Sequence, residues 1–409
     1  MRRFIQKAIV LSFLALFCLP AIKLAAQGIY NTKDWRFSNP LPLGFTVLDV
    51  DYLDDNIAIA VGENGGIART TDGGRTWTYG IFTYTTTAAQ RTKASFQDVH
   101  VVSSNAMYAV GTGGMMAKST DGGKNIEWMQ VPGFEKRDFR DIEAFDQNTA
   151  IIMAVDQPAI ILKTTDGGKN WKKVFEDTTT GMFLDAMHFE KVNGKLVGMV
   201  VGDPINNKIF YAKTFDGGNT WVKPSKKELK NAPTVPDGEA MFASSGTNIA
   251  ITNFSKASPW LVVTGGTKSR LKDFLNQSFN DSLPLIQGFS SAGANSIAFN
   301  NKIQKGVIVG GDFAHDTISR FNCILLAFEN GNRTYTTPIV NPHGYRSCVI
   351  YLDNETLISC GTSGVDISTD GGIHWELVSK ESFHVVQKAK DGRAVYLAGG
   401  RGRIAKLIW

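Results

Sequence analysis

Residues 70–77 read Thr-Thr-Asp-Gly-Gly-Arg-Thr-Trp (TTDGGRTW), and the same frame returns at 164–171 (TTDGGKNW), 214–221 (TFDGGNTW) and 368–375 (STDGGIHW). A fifth, looser copy at 119–128 (STDGGKNIEW) carries its tryptophan two places late. The shared frame is Ser/Thr-x-Asp-x-Gly-x-x-Trp. A carboxylate at the third place can accept hydrogen bonds from nearby backbone N–H groups and fold a turn around itself. Glycine supplies the positive φ that a tight hairpin needs. Tryptophan then covers the turn with a large apolar ring whose N–H can still reach a partner. Asp72, Asp121, Asp166, Asp216 and Asp370 are therefore expected to be structural residues of hairpin turns.

The intervals between these aspartates are 49, 45, 50 and 154 residues, and the last is close to three steps of the others. Self-similarity at such a spacing marks a repeat architecture. Ahead of each box runs a short apolar strand ending in small residues: 58–62 (AIAVG), 107–111 (MYAVG), 151–155 (IIMAV) and 197–202 (VGMVVG). The series continues through 260–266 (WLVVTGG), 306–311 (GVIVGG), 357–361 (LISCG) and 394–400 (AVYLAGG). Each unit reads as four short strands with turn signals between them. The sequence predicts an all-β fold, a single β-propeller of eight four-stranded blades, or seven if the irregular middle units merge. Residues 35–43 are expected to add the fourth strand to the three of 383–409, so that both ends close one blade, with no tail after it. Two longer connections, 224–238 and 312–322, interrupt the regularity; loops of this kind are functional or tolerated decoration.

The start of the chain has a different character. Arg2, Arg3 and Lys7 precede an apolar run over 9–22, and Leu24-Ala25-Ala26 offers a small-residue exit. That layout predicts a signal peptide over 1–26, cleaved after Ala26, and a periplasmic or secreted propeller over 27–409. The run is short for a transmembrane span, so none is expected after cleavage. Phe17 before Cys18 argues against a lipid anchor. The full chain has a formal charge of +5, and the leader holds four basic residues and no acidic one, which leaves 39 basic against 38 acidic residues. No clustered Lys/Arg remains for nucleic acid. Cys323, Cys348 and Cys360 are expected to be buried free thiols, with Cys348 and Cys360 placed on consecutive strands where pairing is conceivable.

The inner strands of a propeller line its central channel. Four of them align as Leu48-Asp49-Val50, Gln97-Asp98-Val99, Arg140-Asp141-Ile142 and Leu184-Asp185-Ala186. Their aspartates are expected to bond the backbone of a neighbouring blade. Later units carry Glu239, Arg346 and His384 at or beside that place, and Asp203 and Asp312 should reach the same face. A ring of Glu239, Arg346, His384, Asp203 and Asp312 is the candidate binding site, with carboxylates as acceptors or acid/base groups, Arg for an anion and His as a proton shuttle. A water-filled polar channel is the plain alternative. Glu239 with Asp203 or Asp312 would form the carboxylate pair of a glycoside hydrolase. Asp312, His315 and Asp316 share one loop without a second set of ligands, and no dinucleotide fingerprint occurs. No cofactor or metal is therefore expected.

Taken together, the boxes resemble the Asp-box (BNR) repeat propellers. Residues 202–204 (GDP), 238–246 (GEAMFASSG), 309–313 (VGGDF), 344–347 (GYRS), 364–372 (GVDISTDGG) and 402–407 (GRIAKL) further resemble the photosystem II stability/assembly-factor-like propellers, which include relatives in non-photosynthetic bacteria. That resemblance covers about residues 35–409. It implies an exported, non-catalytic binding or assembly scaffold for an envelope protein complex. Some bacterial relatives are labelled oxidoreductase, but the residues here favour glycan hydrolysis over redox chemistry as the enzymatic alternative.

Overall fold

The computed structural model describes residues 45–82, 94–242, 246–252, 260–273, 280–329 and 332–407, and the backbone of 24–25 and 35–37. The expected leader lies almost wholly outside these residues. Eight antiparallel sheets follow one another along the chain, so the ring has eight blades rather than seven. Blade 1 is built from Val47–Tyr52, Ala58–Gly62, Gly66–Thr70 and Thr76–Ile81, with Leu24–Ala25 adding a short strand at its outer edge. The innermost strands of blades 2 to 4 are Phe96–Val101, Phe139–Ala144 and Leu184–Val192. Those of blades 6 to 8 are Ala292–Asn300, Cys348–Tyr351 and Val385–Lys388. Blade 8 closes as the sequence predicts: Trp35–Phe37 pairs with Arg403–Leu407, with Trp35 opposite Leu407.

Apolar side chains alternate along each strand and meet those of the next blade, so the core is a set of seams around the ring. Ile59, Val61 and Ile67 of blade 1 pack against Phe96, Val99 and Val101 of blade 2, and equivalent clusters fill the later seams. At the closing seam Tyr52 of blade 1 stacks on Tyr396 of blade 8, ring centroids 3.7 Å apart.

The boxes form the expected turns. The Thr76 N–H donates to the Asp72 carboxylate at 2.9 Å, and Thr70 Oγ1 accepts from the Gly74 N–H at 2.8 Å. The donor four residues beyond the aspartate is repeated by Asn125, Asn170, Thr220 and His374. Two details differ from expectation. The indole N–H groups of Trp77, Trp171 and Trp221 are buried without a hydrogen-bond partner among the described residues, so these rings act as apolar lids. In the second box Ile126 takes the buried place that tryptophan holds elsewhere, and Trp128 is exposed.

Residues just ahead of the boxes link the blades on this face. Lys118 Nζ donates to the Gly167 carbonyl at 2.9 Å, Lys163 Nζ to Gly217 at 2.7 Å, and Arg69 Nε to Gly122. The connection over 224–238 contains the helix Lys226–Asn231, started by a capping box between Ser225 and Glu228. Cys323, Cys348 and Cys360 are free and buried, with Cys348 directly opposite Cys360 across two strands. Among the described residues no helix is long and apolar enough to cross a membrane.

Candidate functional site: the channel and its mouth

A channel of about 760 Å³ runs inside the ring of inner strands. What faces it is decided in five of the blades by a bulge near the start of the inner strand. In blade 1 Val47 pairs with Gly62 and Asp49 with Val61, so Leu48 is the extra residue. The same shift makes Gln97, Arg140, Asp185 and Asn295 the extra residues of blades 2, 3, 4 and 6. A bulge kinks the strand and re-aims its side chains. All five bulge residues line the channel.

The residue after the bulge joins neighbouring blades, as expected for the recurring aspartates. The Asp49 carboxylate accepts from the Val99 N–H at 3.1 Å, Asp98 from Ile142 at 2.7 Å, and Asp141 from Met187 at 2.8 Å. Ser296 repeats the bond to the Val349 N–H at 3.1 Å, and in blade 5 the Thr247 carbonyl accepts from Ile297.

Asp185 departs from the alignment. Its blade places Ala186, not Asp185, opposite Val201, so Asp185 stands one place early, in the bulge. It cannot make the inter-blade bond. The Met241 N–H of blade 5 is instead turned to Asp203. Asp185 is 7% exposed, and its Oδ2 is buried with no hydrogen-bond partner among the described residues.

The five residues expected to form a ring do not line the channel. Glu239 pairs with Gly266, and Arg346 stands against Gly361. That is the position of Val47, Phe96 and Leu184, whose side chains point into the blade. Both charges are accordingly enclosed and paired. Glu239 meets Lys272 at 3.2 Å, Arg270 at 3.4 Å and the Thr264 hydroxyl at 2.9 Å, with no side-chain exposure. Arg346 holds Asp366 through Nε at 2.7 Å and through Nη2, and reaches Ser363. Asp312 caps a short turn and meets His315 at 2.8 Å. For Arg346, His384 and Asp312 it is the next-door residue, Tyr345, Val385 or Phe313, that lines the channel, because successive strand side chains point opposite ways. The structure thus gives Glu239 no access to a substrate, and the proposed carboxylate pair loses its geometry.

The channel wall is acidic and largely enclosed. Burial raises both the Asp49 and Asp98 carboxyls, which bond one another, and the neighbouring Asp49 and Asp141 charges push Asp98 further up. Burial lifts Asp141 to about 7 and Glu143 to about 8. Asp185 rises to about 8 through burial and the nearby Asp203, against the pull of Arg140. Deeper along the strands Glu143 lies between His100 at 3.7 Å and His188 at 3.9 Å, both held down to about 4 by burial. Lys390 closes on Asp51 at 2.6 Å. No three His, Cys, Asp or Glu side chains among the described residues are placed to hold a metal ion.

At the mouth, Phe313 packs edge-on against Phe242 and Tyr345, centroids 6.1 Å apart in each pair. Phe289, Phe313 and Phe321 are all exposed, on two loops of blade 6 tied by the Phe313 N–H to the Ser291 carbonyl and the Ile286 N–H to the Phe321 carbonyl. Exposed aromatics on loops beside a polar opening suit recognition of another molecule. The extended loop over 312–322 therefore contributes part of the mouth. Sequence reasoning missed both the bulge residues and this rim. The signal was present: a residue that varies freely just before a repeated aspartate, and phenylalanines in loops.

Comparison with known proteins gives a consistent picture. A family model described as Photosynthesis system II assembly factor YCF48 matches residues 28–312. Among solved structures, YCF48 from Cyanidioschyzon merolae is 17% identical with a TM-score of 0.55, covering 92% of this chain and 99% of that one. YCF48 bound to D1 peptide is 16% identical with a TM-score of 0.55, covering 93% and 96%. Sqt1 from Saccharomyces cerevisiae is 12% identical with a TM-score of 0.58, covering 93% and 99%. At these identities the solved structures speak to the fold alone. A comparison with curated protein sequences returns no match.

Proposed function

This chain belongs to the family of the photosynthesis system II assembly factor YCF48, and from that premise we propose that it is a non-catalytic scaffold which binds a segment of a partner protein at its channel mouth. The observation that carries the reading is the exposed Phe313 ring at the channel mouth, packed on half-buried Phe242 and buried Tyr345 beside the bulge residues. A relative in the family fold has been solved with a peptide of its partner, D1, which supports a peptide-binding role. In this reading the protein assembles or stabilises an envelope complex after export. The leader-like segment over 1–26 and a family match that begins at residue 28 are compatible with export.

The test is affinity purification from the protein's own cells with three baits: wild type, Phe313→Asp at the mouth, and Trp128→Asp on the box-bearing face. A defined partner retained by wild type and Trp128→Asp but lost by Phe313→Asp is the expected result. Retention by all three baits, or no defined partner, overturns the reading. Glycan hydrolysis through Glu239 is not favoured by any observation, because the side chain is enclosed by Arg270, Lys272 and Thr264.

A further inference from the structure

We propose that the channel mouth takes a lysine or arginine side chain of the partner segment, with Asp185 as its counter-ion and the Phe313 and Phe242 rings against its stem. This rests on the partner-binding reading above and adds the chemistry of what is bound.

The first support is the register of blade 4. Asp49, Asp98 and Asp141 spend a carboxylate oxygen on the next blade, whereas the one-place displacement of Asp185 leaves its Oδ2 buried, at the channel wall, with no partner among the described residues. An unpaired buried carboxylate is costly, and a cation with N–H donors is the group that relieves it. The second support is charge. Six carboxyl side chains line the channel against two cations, Arg140 and Lys390. Lys390 is committed to Asp51, and Arg140 lies over the Phe183 ring at 5.4 Å. As pH rises through the raised values of Asp141, Glu143 and Asp185 the recess gains negative charge. A recess lined by one sign of charge focuses its field on an incoming group of the opposite sign. The third is the rim: an aromatic edge accommodates the methylene stem of Lys or Arg and attracts its charge.

Among the described residues no three His, Cys, Asp or Glu side chains are placed to hold a metal ion, and the N–H donors that the Asp185 carboxyl lacks are those an organic cation carries. Its entry is coupled to protons. Asp185 faces Asp203 and Arg140 and shares the channel with Asp141, Glu143 and His188, and its carboxyl is raised to about 8. A bound cation favours the ionised form, so binding below that pH releases a proton and tightens as pH rises. Lys and Arg stay charged throughout this range.

The experiment uses a positional-scanning library of acetylated, amidated hexapeptides captured on the immobilised full chain. Wild type is compared with Asp185→Asn and Asp185→Ser, each first shown to melt like wild type, with spermidine as a separate probe. The expected result is one position enriching Lys and Arg about tenfold over Glu on wild type. That preference collapses in both variants while apolar preferences at other positions persist, and it is stronger at pH 8.5 than at pH 6.5. Neutral or acidic selection, or a Lys/Arg preference indifferent to Asp185, overturns the cation assignment and leaves peptide binding standing. Spermidine binding that needs Asp185 without Lys/Arg selection makes the occupant a free polyamine and also overturns it. Failure to capture any peptide overturns both this inference and the peptide-binding reading on which it rests.

Discussion

The Ile142 backbone N–H donates to the Asp98 carboxyl at 2.7 Å, across the seam between blades 2 and 3. Asp49 and Asp141 make the same bond at the seams on either side, so blades 1 to 4 are fastened at the channel by one repeated contact. Asp98→Ala removes the acceptor and leaves a buried N–H, which costs roughly 1–3 kcal/mol. Asp98→Asn keeps an acceptor and can donate to Asp49, and it removes a carboxyl whose charge is disfavoured by burial and by the Asp49 and Asp141 charges. Urea denaturation at pH 7.5 should therefore rank Asp98→Asn close to or above wild type, and Asp98→Ala well below.

Stability should fall as pH rises from mild acid. Asp141 and Glu143 have folded values of about 7 and about 8, above their ordinary values of 3.8 and 4.5. A raised carboxyl contributes stability that is present below the unfolded value and is lost as pH rises through the folded one. The box aspartates Asp166 and Asp216, held down to about 2 by hydrogen bonds, act oppositely and lose their contribution as pH falls below about 4. Thermal melts across pH 3 to 9 should peak between these two limbs, and Glu143→Gln should flatten the alkaline limb. A Tm that rises steadily to pH 9 would contradict the assignment.

Arg346 and Asp366 form an enclosed ion pair in a position that is apolar in most other blades. Arg346→Ala leaves Asp366 buried without its cation and should cost about 3–5 kcal/mol. The double change Arg346→Met with Asp366→Leu should recover most of that loss. Equal destabilisation by the single and double variants in chemical denaturation would mean the pair is not enclosed.

Thr164 is buried in the third box, where its hydroxyl donates to Asp166 at 2.9 Å and accepts from the Gly168 N–H at 2.9 Å. Thr164→Ala should cost about 1–2 kcal/mol, as loss of a helix cap does, and Thr164→Ser only a few tenths. Differential scanning calorimetry of the two variants checks the order.

Nearly all of the fold could be read from the residues, because each box states its own turn chemistry and the intervals count the blades. Even the closing strand at Trp35–Phe37 followed from the need of a ring to join its ends. The candidate site was less legible. Glu239, Arg346 and His384 were correctly placed near the starts of inner strands, but a one-residue shift in a strand reverses the face of a side chain. The bulges that set this shift leave no fixed residue type, since Leu48, Gln97, Arg140, Asp185 and Asn295 all occupy them. For the same reason Asp185 looked like a fourth member of the aspartate series. Only the pairing of Ala186 with Val201 reveals that it is not.

The central claim, that a partner segment lies at the channel mouth, is tested most directly by site-specific photo-crosslinking in the protein's own cells. A benzophenone amino acid would replace Phe313 or Phe289 at the mouth, and Trp128 or Ile373 on the box-bearing side, all four of them exposed. The account predicts a discrete crosslinked product with one partner protein from the two mouth positions and none from the other two. Crosslinking of the same partner from Trp128 or Ile373, with nothing from Phe313 and Phe289, would contradict it.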